Sequence, residues 1–500
     1  MKKNHIIITA VALAVVIILA VCITGLFSGG SGDTHTSDST QMPAEDGHAH
    51  TYGENGVCTV CYELSEDMFT AALLDDGTYC ISAKEGAVYP AEIRLPAYYK
   101  GVRISAVAKN GFQKQQSIEK IMFAEGITRI EQGAFMMCRG LREAVFPESL
   151  EYIGDIAFGF CDSLEGVLLP ASVKELGAEA FAACGGIESV RILSEKIKVG
   201  ARAFSHCRKL SSFEGIESFD AIPDGVLTGT MIKNAEIRDG ITEIGANAFN
   251  GCEKLENVVL PESIVKIGEY AFYECYAMDK LGIPEGVTEI GRCAFRGCIS
   301  LEKITLPKGV SVIEYGLFTG CDKLRRVYFE GNITKIGDEA FSRCISLEEI
   351  ELSEGLTEIG KSAFQTCSSL ISIDIPDTVT SIGDTAFSGC TILENVTLPS
   401  GIDGISAHMF SYCSRLKSFE VRDEIKKIGM YAFSRCSSLE SITIPKSVKA
   451  INTGALDSCE NLTDIYYGGT KAEWEAIFGY GVIGYTTVHC TDGDIELWNK

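Results

Sequence analysis

The sequence predicts a leucine-rich-repeat solenoid, and three observations carry that prediction. Fourteen cysteines share one register, 23 residues apart from Cys138 to Cys207 and again from Cys252 to Cys459, with a single gap of 45 between the runs. A phenylalanine stands three residues before thirteen of them, from Phe135 to Phe433, and Phe112 keeps the phase one period earlier. Around these positions the unit reads I-G-x-x-A-F-x-x-C-x-x-L-x-x-I-x-L-P, as at Ile244, Gly245, Ala248, Phe249, Cys252, Leu255, Val258, Leu260 and Pro261. A fixed period between about 20 and 50 residues marks stacked supersecondary units, and 23 falls in the leucine-rich range.

The chain opens on an apolar segment. Ile6 to Phe27 is broken only by Thr9, Thr24 and Gly25, and Lys2 and Lys3 precede it. As a helix it would span about 33 Å, enough for a bilayer core of about 30 Å. The lysines favour a cytoplasmic N-terminus. Residues 1–28 therefore read first as a transmembrane helix, which makes the membrane a partner and the chain a single-pass protein with an extracellular C-terminal domain. The alternatives are a cleaved signal that would leave a secreted protein, and a lipoprotein box at Leu19-Ala20-Val21-Cys22, where Val21 departs from the small residue expected. Residues 29–47 are Ser, Thr, Gly and Asp with hardly an apolar side chain, the composition of a solvated spacer.

Residues 48–65 carry the one cluster with metal-ligand chemistry. His48 and His50 precede Cys58-Thr59-Val60-Cys61, so two imidazoles and a Cys-x-x-Cys pair offer four ligands of the types tetrahedral zinc uses. A closed four-ligand shell would make that zinc structural, and it is the one cofactor the sequence suggests. The rival reading is a flexible linker or a local disulfide.

Residues 66–111 hold alternating stretches, DDGTYCIS and AEIRLPAYYKG, and read as a β cap on the first turn. The solenoid proper runs over 112–467. With Leu227 and Leu456 in the aromatic slot of two turns, about sixteen turns can be counted. In each, L-x-x-I-x-L is a short strand, and the following proline ends it. The I-G-x-x-A-F segment is too short for a helix, and its glycine suggests a tight bend. One turn cannot bury its Ile, Phe, Cys and Leu alone, whereas stacked turns give a parallel sheet and an internal column of rings. At about 4.8 Å per strand the rod is on the order of 75 Å long. Ser211 to Asp239 lacks the cysteine and is one residue short, which leaves a bend, a hinge or an imperfection open. Residues 468–500 form a second cap: Thr470-Lys471-Ala472-Glu473 spells a capping box, and Thr491-Asp492-Gly493-Asp494 a hairpin turn.

From Phe112 to about Tyr467 the pattern resembles the BspA-like leucine-rich repeats of bacterial surface proteins. The stretch HTYGENGVCTVC resembles the short zinc-ribbon-like modules that precede domains in other surface proteins of Gram-positive bacteria. The first resemblance implies a surface-exposed or secreted binding and adhesion protein with no catalytic residues in its repeats.

The ladder cysteines read as small buried thiols rather than as a redox or metal ladder. Adjacent turns lie within bridging distance, but side chains in register point the same way and would strain each disulfide. Cys293 and Cys490 lie off the register. Gly479-Tyr480-Gly481-Val482-Ile483-Gly484 matches a dinucleotide fingerprint in spelling but follows a helix instead of opening one. A net charge of −24 argues against nucleic acid as a partner.

The outward residue before the last apolar of each strand is apolar at the N-terminal end, where Met122, Val145 and Leu168 would form an exposed strip. Arg325, Arg326 and Tyr328 would form a basic-aromatic spot. The expected function is a cell-surface protein that binds an extracellular, host or neighbouring-cell protein, without enzymatic activity. A structural or spacer protein of the envelope is the first alternative. A zinc-dependent or redox-active surface protein is the second.

Overall fold

In the computed structural model of the chain, residues 48–478 and 485–497 are described. Residues His50–Lys500 form one compact unit. Most turns contribute two short strands, each stacked in parallel on its equivalent one turn away, though the longer strand is missing at 281–283 and 350–352. The Leu-x-x-Ile-x-Leu segment gives the longer strand: Lys303–Leu306 pairs with Arg326–Phe329, Lys303 opposite Arg326 and Leu306 opposite Phe329. The Ile-Gly segment gives a two-residue strand: Lys335–Ile336 pairs with Glu358–Ile359, which pairs with Ser381–Ile382. Both ladders therefore advance by one repeat per rung.

Period-two alternation decides which side chains enter the core. Ile304 and Leu306 are buried and Lys303 and Thr305 exposed. The buried residues form one continuous cluster from Val57 to Val488. Inside it the rings stack face to face. Phe249 and Phe272 lie 5.3 Å apart at 3°, and Phe410 and Phe433 lie 5.5 Å apart at 18°. Stacked pairs of this kind contribute about 0.5–1.5 kcal/mol each beyond their area.

The parallel ladders run past the segments expected to cap them. Glu92–Leu95 pairs with Lys120–Phe123 at one end, and Thr486–Cys490 pairs with Asp464–Tyr467 at the other. The solenoid thus counts about eighteen turns, not sixteen. At the C-terminal end the helix Lys471–Ile477 opens on the Thr470–Glu473 capping box. Thr486–Cys490 then turns back antiparallel against Gly493–Leu497.

The consensus glycine has a different role from the one expected. In the ordinary turns it is not at positive φ. A Cβ on Gly268 would stand 2.6 Å from the Ala246 nitrogen and 2.8 Å from the Gly245 carbonyl carbon of the turn before. Glycine is there because two backbones approach too closely for a side chain. The bend is made two residues later, by left-handed residues such as Asn247, Tyr270 and Glu339, and again four residues on at Gly251, Glu274 and Arg343.

The irregular turn breaks the longer ladder. The sheet holding Gly166–Leu169, Ser189–Ile192 and Ser212–Glu214 ends there, and a new one starts at Asn234–Glu236. A short 3-10 segment, Ile216–Ser218, is inserted after Gly215. The ring column is rerouted through Phe204, Phe213 and Phe219, with centroids 5.2 and 5.8 Å apart.

The expectation of a transmembrane helix in the fold is corrected. Among the described residues no helix is long and apolar enough to cross a membrane. The segment 1–28 that suggested one, the spacer 29–47 and the glycine-rich spelling at 479–484 lie outside the described residues. The membrane as a partner and the single-pass topology, which both rested on that helix, are withdrawn with it.

Candidate functional site

The structure brings the sequence-predicted metal residues together. Tyr52 bridges Cys58 and Val57 bridges Leu64, both antiparallel, so the chain doubles back within a dozen residues. Gly56, at φ 70°, takes the left-handed position in the turn. This fold carries Cys58 and Cys61 to the two histidines: the ligand atoms of His48, His50, Cys58 and Cys61 all lie within 4.8 Å of one another. His50 Nδ1 is 3.4 Å from Cys61 Sγ, and its Nε2 is 3.6 Å from Glu63 Oε1. An imidazole held by a carboxylate on one nitrogen presents the other to a metal in a set orientation. Glu63 escaped the sequence reading, although its place two residues after the second cysteine was a usable signal. These side chains could coordinate a metal ion.

The module is built onto the first rung of the longer ladder. Leu64 N donates to Arg94 O at 2.9 Å, and Arg94 N donates to Tyr62 O at 2.8 Å. Val57, Cys58 and Leu64 are all buried.

Further along the same ladder, Val145, Leu168 and Leu193 line a cleft of about 750 Å³ together with Phe146, Arg142 and Arg191. All three aliphatic side chains are exposed, Leu168 by 54%. Charged side chains flank them in pairs one turn apart: Lys120 Nζ lies 2.8 Å from Glu143 Oε2, Arg142 Nη1 3.2 Å from Glu165 Oε1, and Arg191 Nε 3.1 Å from Glu214 Oε2. Met122, grouped with Val145 and Leu168 by the sequence, is half-buried and does not line the cleft. Leu193 completes the strip in its place, and sequence reasoning missed it because it lies just past its strand, Ser189–Ile192.

In the basic-aromatic spot, Arg325 and Arg326 each face a carboxylate. Arg325 Nη1 is 3.7 Å from Glu348 Oε1, and Arg326 Nη2 is 3.1 Å from Glu349 Oε1. Both acids stand one repeat further on and were readable there. Tyr328 is exposed beside them.

A profile of BspA type leucine-rich repeats matches residues 105–233, 220–348, 265–376 and 357–476. The chain belongs to the BspA type leucine-rich repeat family. A crystal structure of a leucine-rich repeat protein from Bacteroides ovatus ATCC 8483 is similar, with 26% identity and a TM-score of 0.64 over 80% of this chain and 98% of that one. A leucine rich cell surface protein from Faecalibacterium prausnitzii A2-165 matches at 22% identity and a TM-score of 0.42, over 84% of this chain and 98% of that one. Comparison with the curated proteins found no match. The BspA type chain is thus a bacterial leucine-rich-repeat surface protein whose sheet offers a surface for protein–protein interaction. Its repeats are a non-catalytic scaffold, which agrees with the expectation that it is not an enzyme.

The ladder thiols give the redox reading no support. They are buried, and burial pushes thiols such as Cys298 and Cys390 up to about 12. The thiolate is the reactive form, so sulfurs in this state are inert at neutral pH.

Proposed function

We propose that this protein binds an extracellular protein ligand through the cleft floored by Val145, Leu168 and Leu193. The observation that supports this reading is the pair of exposed aliphatic side chains on consecutive rungs, Val145 and Leu168, continued by Leu193 just past the next strand and flanked by ion pairs that leave the apolar floor as the adhesive element. Apolar cores inside polar rims are the anatomy of protein interfaces. The alternative, an envelope spacer, needs no such floor. The test is capture of host matrix and bacterial surface proteins by the full-length chain, compared with Val145→Asp/Leu168→Asp. Saturable binding should fall by about tenfold or more, equivalent to about 1.4 kcal/mol, with thermal unfolding unchanged. Absence of any saturable ligand, or binding that ignores both substitutions, refutes the reading.

We further propose that His48, His50, Cys58 and Cys61 hold one structural zinc ion, with Glu63 orienting His50. The donor set supports this: two imidazoles and two thiols converge, and a carboxylate sits behind one ring. When bound, the ion would tie the loop over the first rung and do no chemistry.

A further inference from the structure

We propose that a polar notch built by Asn247, Asn250, Tyr270, Tyr273 and Arg296 is a binding site for a neutral hexose oligosaccharide. The argument starts from what the scaffold asks for at one repeat position. The residue directly after the column phenylalanine is small and buried in eight of the fourteen phenylalanine turns, as at Ser205, Thr319, Ser342 and Ser411, while Gln113, Met136 and Gln365 are larger and half-buried. A hydroxyl at this position can bond to the neighbouring turn, as Thr319 Oγ1 donates to Glu339 O at 2.6 Å and Ser388 Oγ pairs with Ser411 Oγ at 2.8 Å. Three consecutive turns break the rule with Asn250, Tyr273 and Arg296, all half-buried instead of buried. Among the phenylalanine turns, no other three in succession carry large polar side chains at this position.

These three line a cleft of about 380 Å³ with Asn247 and Tyr270 from the left-handed position of the same turns. That volume exceeds the ~300 Å³ at which small-ligand clefts begin. The two tyrosine rings meet edge to face, with centroids 5.7 Å apart at 63°. One ring can therefore offer its face while the other walls the side. The face of an aromatic ring is electron-rich, and the C–H face of a pyranose is apolar and slightly positive, so the two stack.

The polar groups suit hydroxyls. Asn250 Nδ2 donates to Asn247 Oδ1 at 2.7 Å. That bond fixes both amides and leaves Asn247 Nδ2 as a donor and Asn250 Oδ1 as an acceptor, matched to a neighbouring pair of sugar hydroxyls. Arg296 adds further N–H donors. Charge selects the neutral class. Arg296 Nη1 lies 3.7 Å from Glu339 Oε2, and Arg292, over the Tyr270 ring at 5.9 Å, lies 3.0 Å from Glu269. Each guanidinium thus already has a carboxylate, and no net positive charge remains to recruit a sulfated or acidic sugar.

The test titrates lactose, maltose and cellobiose into the full-length chain and follows the tyrosine resonances by NMR. Tyr273→Ser and Arg296→Ser install a residue that other turns already carry, so both should fold, and thermal unfolding checks this. At least one disaccharide should bind saturably, and each variant should weaken it by about tenfold or more. No saturable change with any of the three up to ~50 mM, or binding that Tyr273→Ser leaves intact, overturns the proposal. So does binding of a sulfated heparin disaccharide in preference to all three neutral sugars.

Discussion

The Sγ of Cys344 donates to the backbone oxygen of Phe318, 3.1 Å away in the preceding turn. The same bond recurs along the ladder: Cys138 to Phe112 at 3.1 Å, Cys298 to Phe272 at 3.2 Å, Cys459 to Phe433 at 3.1 Å. The Phe318 oxygen already accepts from Cys321 N at 3.1 Å, so the thiol adds a second donor to a buried carbonyl with two lone pairs, and a small side chain supplies it without breaking the apolar column. The cysteines are therefore more than small hydrophobes. The irregular turn makes the same point with different chemistry. Thr230 occupies the cysteine slot, fully buried, with its hydroxyl donating to Leu227 O at 2.9 Å and touching Cys252 Sγ at 3.4 Å.

Replacing the donor should separate volume from hydrogen bonding. Cys344→Ala removes both, and should destabilise the solenoid by about 2–3 kcal/mol. Cys344→Ser keeps a donor and should lose clearly less. Chemical denaturation followed by circular dichroism reads the difference. Equal losses would mean that the thiol only fills space. In the native state the ladder thiols should resist a thiol reagent and react only on unfolding, since burial raises them.

Much of this architecture was legible because stacking turns sequence identity into spatial alignment. A residue that recurs every 23 positions must lie above itself, so the Phe column and the Cys column could be read directly. Features that depend on contacts between turns were less legible. Gly268 announced a bend, but its reason is the Ala246 nitrogen of the turn before, and the bend belongs to Tyr270. The pairing of Arg325 with Glu348 becomes visible only when the two are set side by side at one repeat's distance. The metal cluster was legible from ligand type and spacing, whereas Glu63, two residues past the second cysteine, was passed over because it is not itself one of the four ligands and acts through His50. The extra rungs at Glu92–Leu95 and Thr486–Cys490 escaped because they lack the Phe and Cys that mark the others.

The close approach at the consensus glycine predicts a sharp contrast between two substitutions. Gly268→Ala puts a methyl 2.6 Å from the Ala246 nitrogen, so one backbone must move. The expected loss is about 3 kcal/mol, at the upper end of overpacking costs. Gly282→Ala meets nothing within 4 Å and is not at positive φ. It should be neutral or stabilising by up to ~1 kcal/mol through the unfolded chain. Thermal melts of the two variants check this, and similar melts would refute the packing account.

The metal module should respond as a cap. The purified chain should hold about one equivalent of zinc, and Cys58→Ser/Cys61→Ser should remove it. Because Leu64 and Tyr62 bond to Arg94, loss of the metal should loosen the first rungs, read as faster amide exchange over Glu92–Leu95. Rungs beyond the irregular turn should keep their protection, since a solenoid couples mainly to its nearest neighbours. Uniform loss of protection along the chain would contradict this. A chain with reduced thiols that holds no zinc at neutral pH would refute the site.

The C-terminal hairpin carries a pH-sensitive contact. His489 Nε2 lies 2.9 Å from Asp464 Oδ1 and its Nδ1 lies 3.0 Å from Asp494 Oδ1, while the ring stacks on Tyr466 at 4.9 Å. The hydrogen bond to Asp464 is the largest cause raising the histidine above its ordinary 6.5, and Asp494 adds to it. The same bond holds Asp464 below the usual carboxylate range. The sign follows from linkage. A raised histidine contributes stability that is fully present below its unfolded value and is lost as pH rises through the folded one. The lowered aspartate contributes above its unfolded value and is lost as pH falls through its folded one. The hairpin should therefore hold tightest in mildly acidic solution, between the unfolded aspartate and histidine values, and loosen as the histidine deprotonates. All three groups are largely solvated, so the effect should stay local and shrink with added salt. An NMR titration of His489 should show a midpoint above that of a free histidine, falling in Asp464→Asn and falling less in Asp494→Asn. A midpoint at the ordinary value in the unmodified chain would show that the paired geometry does not persist in solution.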